Sequence, residues 1–546
     1  MITIGINAAF HDSAACLVRD GRLLAAVEEE RFTQVKHGKR PVPFTTYELP
    51  FHSINYCLET AGLHINDVDQ FAYSFDPGLL KRKEHDAFME AVTNARLHLR
   101  DGYPHHLQKR FCGADIPENK WHYVDHHIAH AASAFLASPF TEAAVMTLDG
   151  RGENATTTYY MGRNNDLEKL GEVTLPHSLG LLYEKMTSYL GFLHSSDEYK
   201  VMALASYGKP VYAGIFRSMI HCNGNGTYTI ADDDFIKHFG PARMREAPFE
   251  EVHFNIARSL QVVMEETVLK LAGWLYAQTK SENLCMAGGV ALNCVMNARI
   301  RDEGPFRNVW VQPAAGDAGT ALGAALWIDA KKTNSTVRNF TMDHAYWGPE
   351  YSDEQIEKFL KWTKSTYRKL DNVAGETAAL LADDKIIGWH QGRMEFGPRA
   401  LGGRSILASP IHASMQARLN EVKDREDFRP VAPVVLEEDA GEWFVHAGVS
   451  PFMLFINDVQ GDKADRIPAV RHIDGTARIQ TVNRHQHPLY YDLLKCFKEK
   501  TGVPVLVNTS FNTLGKPMVC SPRDAIECFW SSPFDALVIG SFLLEK

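Results

Sequence analysis

The chain has 546 residues, 45% hydrophobic and 23% charged, with a net charge of −10. That length exceeds one ordinary core, so two or more domains are expected. The acidic balance argues against a general nucleic-acid binder, which must neutralise phosphates, but leaves room for a local basic pocket. No apolar run approaches the roughly 18 residues of a membrane span. The opening Met-Ile-Thr-Ile-Gly-Ile-Asn lacks the basic stretch of a signal peptide and reads as a strand. Nine cysteines lie scattered with no CxxC pair, which fits reduced thiols in a cytoplasm and argues against a disulfide framework or a Cys-type zinc site.

Ile2 to Ile6 alternates apolar residues as a strand does. Ala15 to Val18 and Leu23 to Val27 are further strands, and Asp20-Gly21 between them is a strong hairpin signal. Glu28 to Glu30, Arg31-Phe32 and Lys36-His37-Gly38 follow, and Ser53 to Leu63 has helical spacing. Next comes His126-His127-Ile128-Ala129-His130. Residues four apart share one helix face, so His126 and His130 can hold one metal ion, and the run Ala131 to Leu136 favours a helix. Ala143 to Leu148 is a short strand ending in Asp149-Gly150, where the carboxylate offers a third ligand. On spacing alone a surface helix with solvated histidines is the simpler reading.

The order of parts after residue 140 repeats the start of the chain. A strand, the turn Asp149 to Gly152, a strand at Thr156 to Tyr160, the turn Gly162 to Asn165 and the segment Leu167 to Leu175 recur about 140 residues downstream. An internal duplication follows, with two halves flanking a cleft that suits a nucleotide. Lys200 lies in an apolar helical run, where a snorkelling surface lysine is the simpler reading. Phe254 to Gln278 is a long helix and Asn283 to Met286 a strand. Gly288-Gly289, ahead of Asn293, permits close approach to an adenine or phosphate, or simply a tight turn. Val309 to Val311 is a strand, and Gly316-Asp317 precedes an Ala/Gly-rich helix at Thr320 to Trp327. Asp317 is therefore either a helix N-cap or a metal ligand.

Asp329 to Pro349 has no clear period, which puts a domain boundary near residue 345. A helix starts at Asp353, and Ile386 to Trp389 is a strand. Gly397-Pro398-Arg399-Ala400-Leu401-Gly402-Gly403-Arg404 sets arginines in a flexible glycine frame. Lys423, Arg425 and Arg429 lead into a strand at Val431 to Leu436, and Arg478 lies in Ala477 to Val482. A strand at Val503 to Val507 runs into a polar loop, Asn508-Thr509-Ser510-Phe511-Asn512. Arginine forks suit phosphate oxygens, and Asn and Ser suit an amide or carbamoyl group, so these residues together outline either a phosphate pocket or a set of solvated surface arginines, the simpler reading for any one of them. A helix at Pro522 to Trp530 and a strand at Ala536 to Ile539 close an α/β domain.

Five of these phrases carry a family resemblance: Phe10-His11-Asp12-Ser13-Ala14-Ala15, Glu28-Glu29-Glu30-Arg31-Phe32, His126 to Ala131, Gly397 to Gly402 and Asn508 to Asn512. In order and spacing along nearly the whole chain they resemble the O-carbamoyltransferases of antibiotic tailoring and nodulation-factor synthesis, the NodU/CmcH type. The resemblance implies an α/β protein with a duplicated actin-like (ASKHA) domain over residues 1–345, similar to the tRNA threonylcarbamoyl transferase. It implies a YrdC-like α/β domain over residues 346–546. Carbamoyl phosphate and ATP would give carbamoyl-adenylate and pyrophosphate in the latter. The carbamoyl group would then pass to a hydroxyl of a small-molecule acceptor, a natural product or sugar, releasing AMP. By the same resemblance His126, His130, Asp149 and Asp317 match metal ligands, with Fe(II) favoured and Mn, Zn or Mg as alternatives. His11 matches the general base, Lys36 a nucleotide or carbamoyl contact, and Arg399, Lys423, Arg429, Arg478, Ser510 and Asn512 the carbamoyl phosphate pocket. With Arg478, His11 and Lys36 form the expected catalytic set, and Lys36, Gly150, Gly288, Gly289, Asn293 and Gly316 the nucleotide contacts. No nucleic-acid or membrane partner is expected. Two other readings explain less of the sequence: an actin-fold small-molecule kinase, which leaves the C-terminal arginines idle, and a non-catalytic nucleotide-binding regulatory protein.

Overall fold

The computed structural model describes residues 1–38, 49–79, 107–108 and 110–546. The chain divides into two compact units, Met1–Met342 and Asp343–Lys546.

In the first unit β1 (Ile2–Asn7), β2 (Ala14–Arg19) and β3 (Arg22–Glu28) form an antiparallel meander. The expected two-residue hairpin is present, with Arg19 paired to Arg22 and positive φ at Asp20 (51°) and Gly21 (74°). β4 (Gln70–Tyr73) and β5 (Trp121–Tyr123) add parallel to β1, giving the order β3-β2-β1-β4-β5. A second meander follows, β6 (Glu142–Leu148), β7 (Ala155–Arg163) and β8 (Asp166–Thr174). After a small hairpin of β9 (Ile220–Cys222) and β10 (Tyr228–Ile230), β11 (Asn283–Ala287) and β12 (Asn308–Val311) join parallel to β6. The second order, β12-β11-β6-β7-β8, is the first one repeated. The duplication read from turns and strands thus extends to the parallel strands and the order of all five.

Each sheet's last strand leads to a helix: β5 to His126–Phe135, β12 to Ala318–Thr333. The two helices cross closely enough that a Cβ at Gly323 would stand 1.7 Å from the Ala129 carbonyl oxygen. Small residues on the second helix are what admit this approach. That helix runs past the expected Trp327, ending at Asn334 with φ 49°, and its last turn carries Lys331 and Lys332. Both suit the negative end of the helix dipole, so the aperiodic stretch begins later than composition suggests.

The second unit is built on an eight-stranded mixed sheet, order β13-β22-β21-β14-β15-β20-β16-β19. Its strands are β13 (Arg368–Lys369), β14 (Ile387–His390), β15 (Arg404–Ala408), β16 (Ala432–Leu436), β19 (Gln480–Val482), β20 (Val505–Ser510), β21 (Ala536–Ile539) and β22 (Phe542–Glu545). β17 (Ile456–Asp458) and β18 (Thr476–Arg478) form a separate pair. Two stretches named from the sequence take definite form here. The stretch Ala477 to Val482 is split between β18 and β19. The polar loop expected from Asn508 is strand as far as Ser510, with Asn508 paired to both Leu407 and Ala432. The polar side chain survives mid-sheet because its amide donates to the Ala400 carbonyl at 3.1 Å and to Gln480 Oε1 at 2.8 Å.

No helix among the described residues is long and apolar enough to cross a membrane, and all nine cysteines are free thiols.

Candidate functional site

The Asp125 carboxylate caps the helix His126–Phe135 by accepting the Ile128 N–H at 2.8 Å. The cap starts the helix at His126, so His126 and His130 fall one turn apart, their ring centroids separated by 4.6 Å. Both histidines are fully buried, which removes the reading of a solvated surface pair. Asp149 directly follows β6, and Asp317 opens the helix Ala318–Thr333. Asp317 makes no side-chain cap bond; its carboxylate turns instead to the histidines. His126 Nε2 lies 3.6 Å from Asp149 and 3.5 Å from Asp317, and His130 Nε2 lies 4.0 and 3.5 Å from the same two oxygens. One ligand atom from each of the four residues falls within 4.8 Å of all the others.

The surroundings aim these atoms. His126 Nδ1 lies 3.2 Å from the Ser74 carbonyl oxygen, which can only accept, so Nδ1 carries a proton and Nε2 is the nitrogen turned to the cluster. Gly289 N–H donates to Asp149 Oδ1 at 2.8 Å, leaving Oδ2 for the cluster. His11 N–H donates to Asp317 Oδ2 at 3.1 Å, leaving Oδ1. Outer partners of this kind fix ligand orientation in metal sites. His126 Nε2 and both His130 nitrogens have no hydrogen-bond partner although they are buried. Two buried carboxylates and two imidazoles facing one point could hold a cation between them. Burial alone would lower the His126 pKa, yet Asp317 and Asp149 outweigh it and hold it well above the usual value. Burial would likewise raise the pKa of both aspartates, and the facing imidazoles pull them down. The donor set fits a divalent metal.

His127, between the two, is different in kind. Its ring bonds Thr147 Oγ1 at 2.7 Å and the Ala155 carbonyl at 2.9 Å, and burial pushes its pKa down to about 3. Glu153 was not singled out by the sequence. It accepts the N–H groups of His126 at 3.1 Å and Asp76 at 2.6 Å, and burial, helped by Asp125, raises its pKa to about 8.

The other expected residues of this unit are placed as follows. His11 sits against Asp12, Nδ1 to Oδ2 3.3 Å. A Cβ at Gly316 would come 3.7 Å from the same Asp12 oxygen. Lys36 is exposed, its Nζ 6.0 Å from the Tyr199 ring centroid. Gly288, at φ 96°, presses on β6, where a Cβ would meet the Leu148 carbonyl oxygen at 2.1 Å. The double glycine therefore serves the approach of β11 to β6 and the aiming of Asp149. The Gly150 carbonyl accepts from Ser178 Oγ at 2.7 Å. Asn293 caps the helix Cys294–Glu303 and pairs with Gln261 at 2.9 and 3.1 Å, so its amide is engaged within the fold. Lys200 pairs with Asp197 at 3.3 Å.

In the second unit Lys423 is buried, and its Nζ donates to Asn512 Oδ1 and the Asn512 carbonyl, both at 2.8 Å, and to the Ser510 carbonyl. Burial, with Arg425 and Arg429 nearby, pushes its pKa well below the usual lysine value. Arg429 reaches Glu426 at 3.4 Å. Arg478 is half-buried on β18, and its Nε is buried without a hydrogen-bond partner. Arg399 is half-buried in the glycine loop. That loop is not the flexible frame the glycines suggest. Fully buried Glu395 accepts the N–H groups of Leu401 and Gly403, each at 2.7 Å, and of Arg404 at 3.3 Å. The Arg404 guanidinium donates to the carbonyls of Gln391, Pro349 and Cys520 at 3.0 to 3.1 Å. Gln480 Nε2 reaches the Leu401 carbonyl at 2.7 Å and Asn508 Nδ2 reaches that of Ala400 at 3.1 Å. These amides tie the loop of Arg399 to the strand next to Arg478 and to the strand that carries Ser510.

Residues 2–326 match the family model described as Carbamoyltransferase N-terminus, and residues 378–546 match Carbamoyltransferase C-terminus. An uncharacterized protein of Synechocystis sp. is 41% identical over all of this chain and 96% of its own length. The nodulation protein NolNO of Sinorhizobium fredii is 39% identical over 99% of this chain and 80% of its own. Among solved structures, the activator of the 2-hydroxyisocaproyl-CoA dehydratase from Clostridium difficile with bound ADPNP aligns over 62% of this chain and 100% of its own, at 14% identity and a TM-score of 0.33. With both family models matched in order and close relatives aligned end to end, the chain belongs to the carbamoyltransferase family, in the NodU/NolO type.

Proposed function

We propose that the protein is an ATP-dependent O-carbamoyltransferase. It forms carbamoyl-adenylate from carbamoyl phosphate, water and ATP, releasing inorganic phosphate and pyrophosphate, and passes the carbamoyl group to a hydroxyl of a small natural-product or sugar acceptor. In this reading residues 1–345 form the actin-like transfer domain and residues 346–546 a YrdC-like activating domain. The observation that carries it is the position of His11: its backbone N–H holds metal-facing Asp317, while its imidazole is held by Asp12. One loop thereby joins a cation site to a proton acceptor.

In the second unit Arg399, Arg429 and Arg478 face the phosphate of carbamoyl phosphate, as guanidinium forks suit its oxygens. Lys423 is drawn back by Asn512 and Ser510 and holds their oxygens in place; Ser510 and Asn512 then meet the carbamoyl group. In the first unit His126, His130, Asp149 and Asp317 would hold a divalent metal, Fe(II) by family likeness or Mn, Zn or Mg, which supplies positive charge for nucleotide phosphate oxygens. Lys36 and the turns at Gly150, Gly288 to Gly289, Asn293 and Gly316 line the nucleotide side. For transfer, His11 takes the proton of the acceptor hydroxyl as its oxygen bonds to the carbamoyl carbon. The bond from that carbon to the AMP oxygen breaks, and AMP leaves with the electron pair. Free thiols throughout suit a reducing cytoplasm.

The test is product analysis with carbamoyl phosphate and labelled ATP. Pyrophosphate and carbamoyl-adenylate that appear only when carbamoyl phosphate is present support the reading. ADP formed without carbamoyl phosphate would mark a kinase instead. Arg478→Ala should abolish adenylate formation, whereas His11→Ala should form adenylate and fail to transfer.

A further inference from the structure

Beyond Asp12, which holds the His11 imidazole, a chain of hydrogen bonds runs on to two residues, His37 and Ser196, that no part of the transfer step described above employs. His37 Nδ1 lies 2.7 Å from Asp12 Oδ1, and His37 Nε2 lies 3.2 Å from Ser196 Oγ. The other oxygen of Asp12 holds His11 Nδ1 at 3.3 Å, and the two imidazole centroids are 3.7 Å apart. Two segments distant in sequence thus meet at one carboxylate, and a third, through Ser196, meets the far side of His37. Asn7 pins the backbone of the first, its amide donating to the carbonyls of His11 at 2.7 Å and Asp12 at 3.0 Å.

An ionised carboxylate only accepts, so Nδ1 of each histidine must carry the proton in these contacts. That leaves Nε2 as the basic nitrogen of each neutral ring. On His37 this nitrogen takes the Ser196 hydroxyl; on His11 it is the nitrogen that would meet the acceptor. Asp12 (φ 46°) and His37 (φ 65°) both lie in the left-handed region, as does Ser195 (φ 57°). Non-glycine residues persist there when their surroundings over-determine them, and such residues gather at active sites.

We propose that His37 is a positioning residue for carbamoyl transfer: it anchors the Asp12 carboxylate and through it fixes the tautomer and orientation of His11, with Ser196 securing the far side of the His37 ring. The inference rests on the reading of His11 as proton acceptor. Asp12 then does for His11 what a buried aspartate does for the histidine of a hydrolase triad, and His37, outside the expected catalytic set, holds that carboxylate in place.

The test uses the full chain and preformed carbamoyl-adenylate, with AMP release to water as the readout. His37→Ala should slow release by about tenfold or more at an unchanged KM, a modest share of what a general base contributes, and should retain adenylate formation and wild-type melting. His37→Asn should recover most of the rate, because asparagine tolerates positive φ and its amide can donate to Asp12. Ser196→Ala should produce a smaller loss of the same kind. Wild-type release by His37→Ala, or a folded His37→Asn as slow as His37→Ala, overturns the proposal. His11→Ala separates the two levels. If it releases AMP at the wild-type rate, the underlying base assignment fails. If it is slow while His37→Ala is not, only the positioning role fails.

Discussion

The two halves of the first unit share a scaffold and divide a charge between them. In each, a meander is extended by two parallel strands, and the last strand leads into a helix. The helix of the first half brings His126 and His130; the helix of the second brings Asp317, and the first strand of the second half ends at Asp149. The first half therefore supplies imidazoles and the second carboxylates, from positions that do not correspond: Asp317 stands at the helix N-cap, where the first half has Asp125, while the histidines lie within their helix. The repeat explains how four candidate ligands distant in sequence converge, and its divergence explains why the convergence is mixed.

The largest expected effect comes from removing one side of that division. Asp317→Ala leaves two buried imidazoles facing a single carboxylate, and loss of one partner from a buried ionic set costs about 3–5 kcal/mol. Chemical denaturation should show that loss, and elemental analysis should show that the variant and His130→Ala no longer retain a divalent metal. Undiminished metal in His130→Ala would break the comparison at its centre. A smaller effect is expected where the two helices touch. Gly323→Ala sets a methyl group against the Ala129 carbonyl, and such overpacking costs about 1–3 kcal/mol. If the crossing holds the histidine turn in place, metal affinity should fall with it; stability lost without any change in affinity would separate scaffold from site.

The smallest effect lies further along the same helix. Asp317 is held below the ordinary aspartate range by its imidazoles, whereas Asp329, with burial as its main influence and Asp20 nearby, is raised from 3.8 to about 6. The folded state binds that proton more tightly than the unfolded chain does. Its stabilising contribution is present below pH 3.8 and is lost as the pH rises to about 6. Asp329→Asn should flatten stability across that window and leave the metal site intact. An unchanged slope would place the cause elsewhere.

Much of this arrangement could be read from the sequence because it is local. The Asp20-Gly21 hairpin, the i,i+4 histidines and the strand ending in Asp149 each need only a few neighbouring residues to specify them. The orienting contacts are not local: Gly289 reaches Asp149 and His11 reaches Asp317 across most of the unit. His37 and Ser196 are not legible in the sequence for the same reason: the partner of His37 is Asp12 and that of Ser196 is His37, each in another segment. The spacing of histidines also could not show that His127 faces Thr147 and fills a structural place. In the second unit Asn508 resembled loop because its polarity is satisfied only by Gln480 and Ala400, residues far away in sequence.

Glu395 gives the glycine loop of the second unit an anion of its own. Three backbone N–H groups that could have waited for a phosphate are already engaged by this carboxylate. The loop therefore reaches its shape during folding, without help from a substrate. On the proposed reading of Arg399 as a phosphate contact, an arriving anion would meet a side chain on a finished mount, and little conformational entropy would remain to be lost on binding. Selectivity at that point then falls to the guanidinium and its reach, while the glycines determine where the guanidinium is mounted.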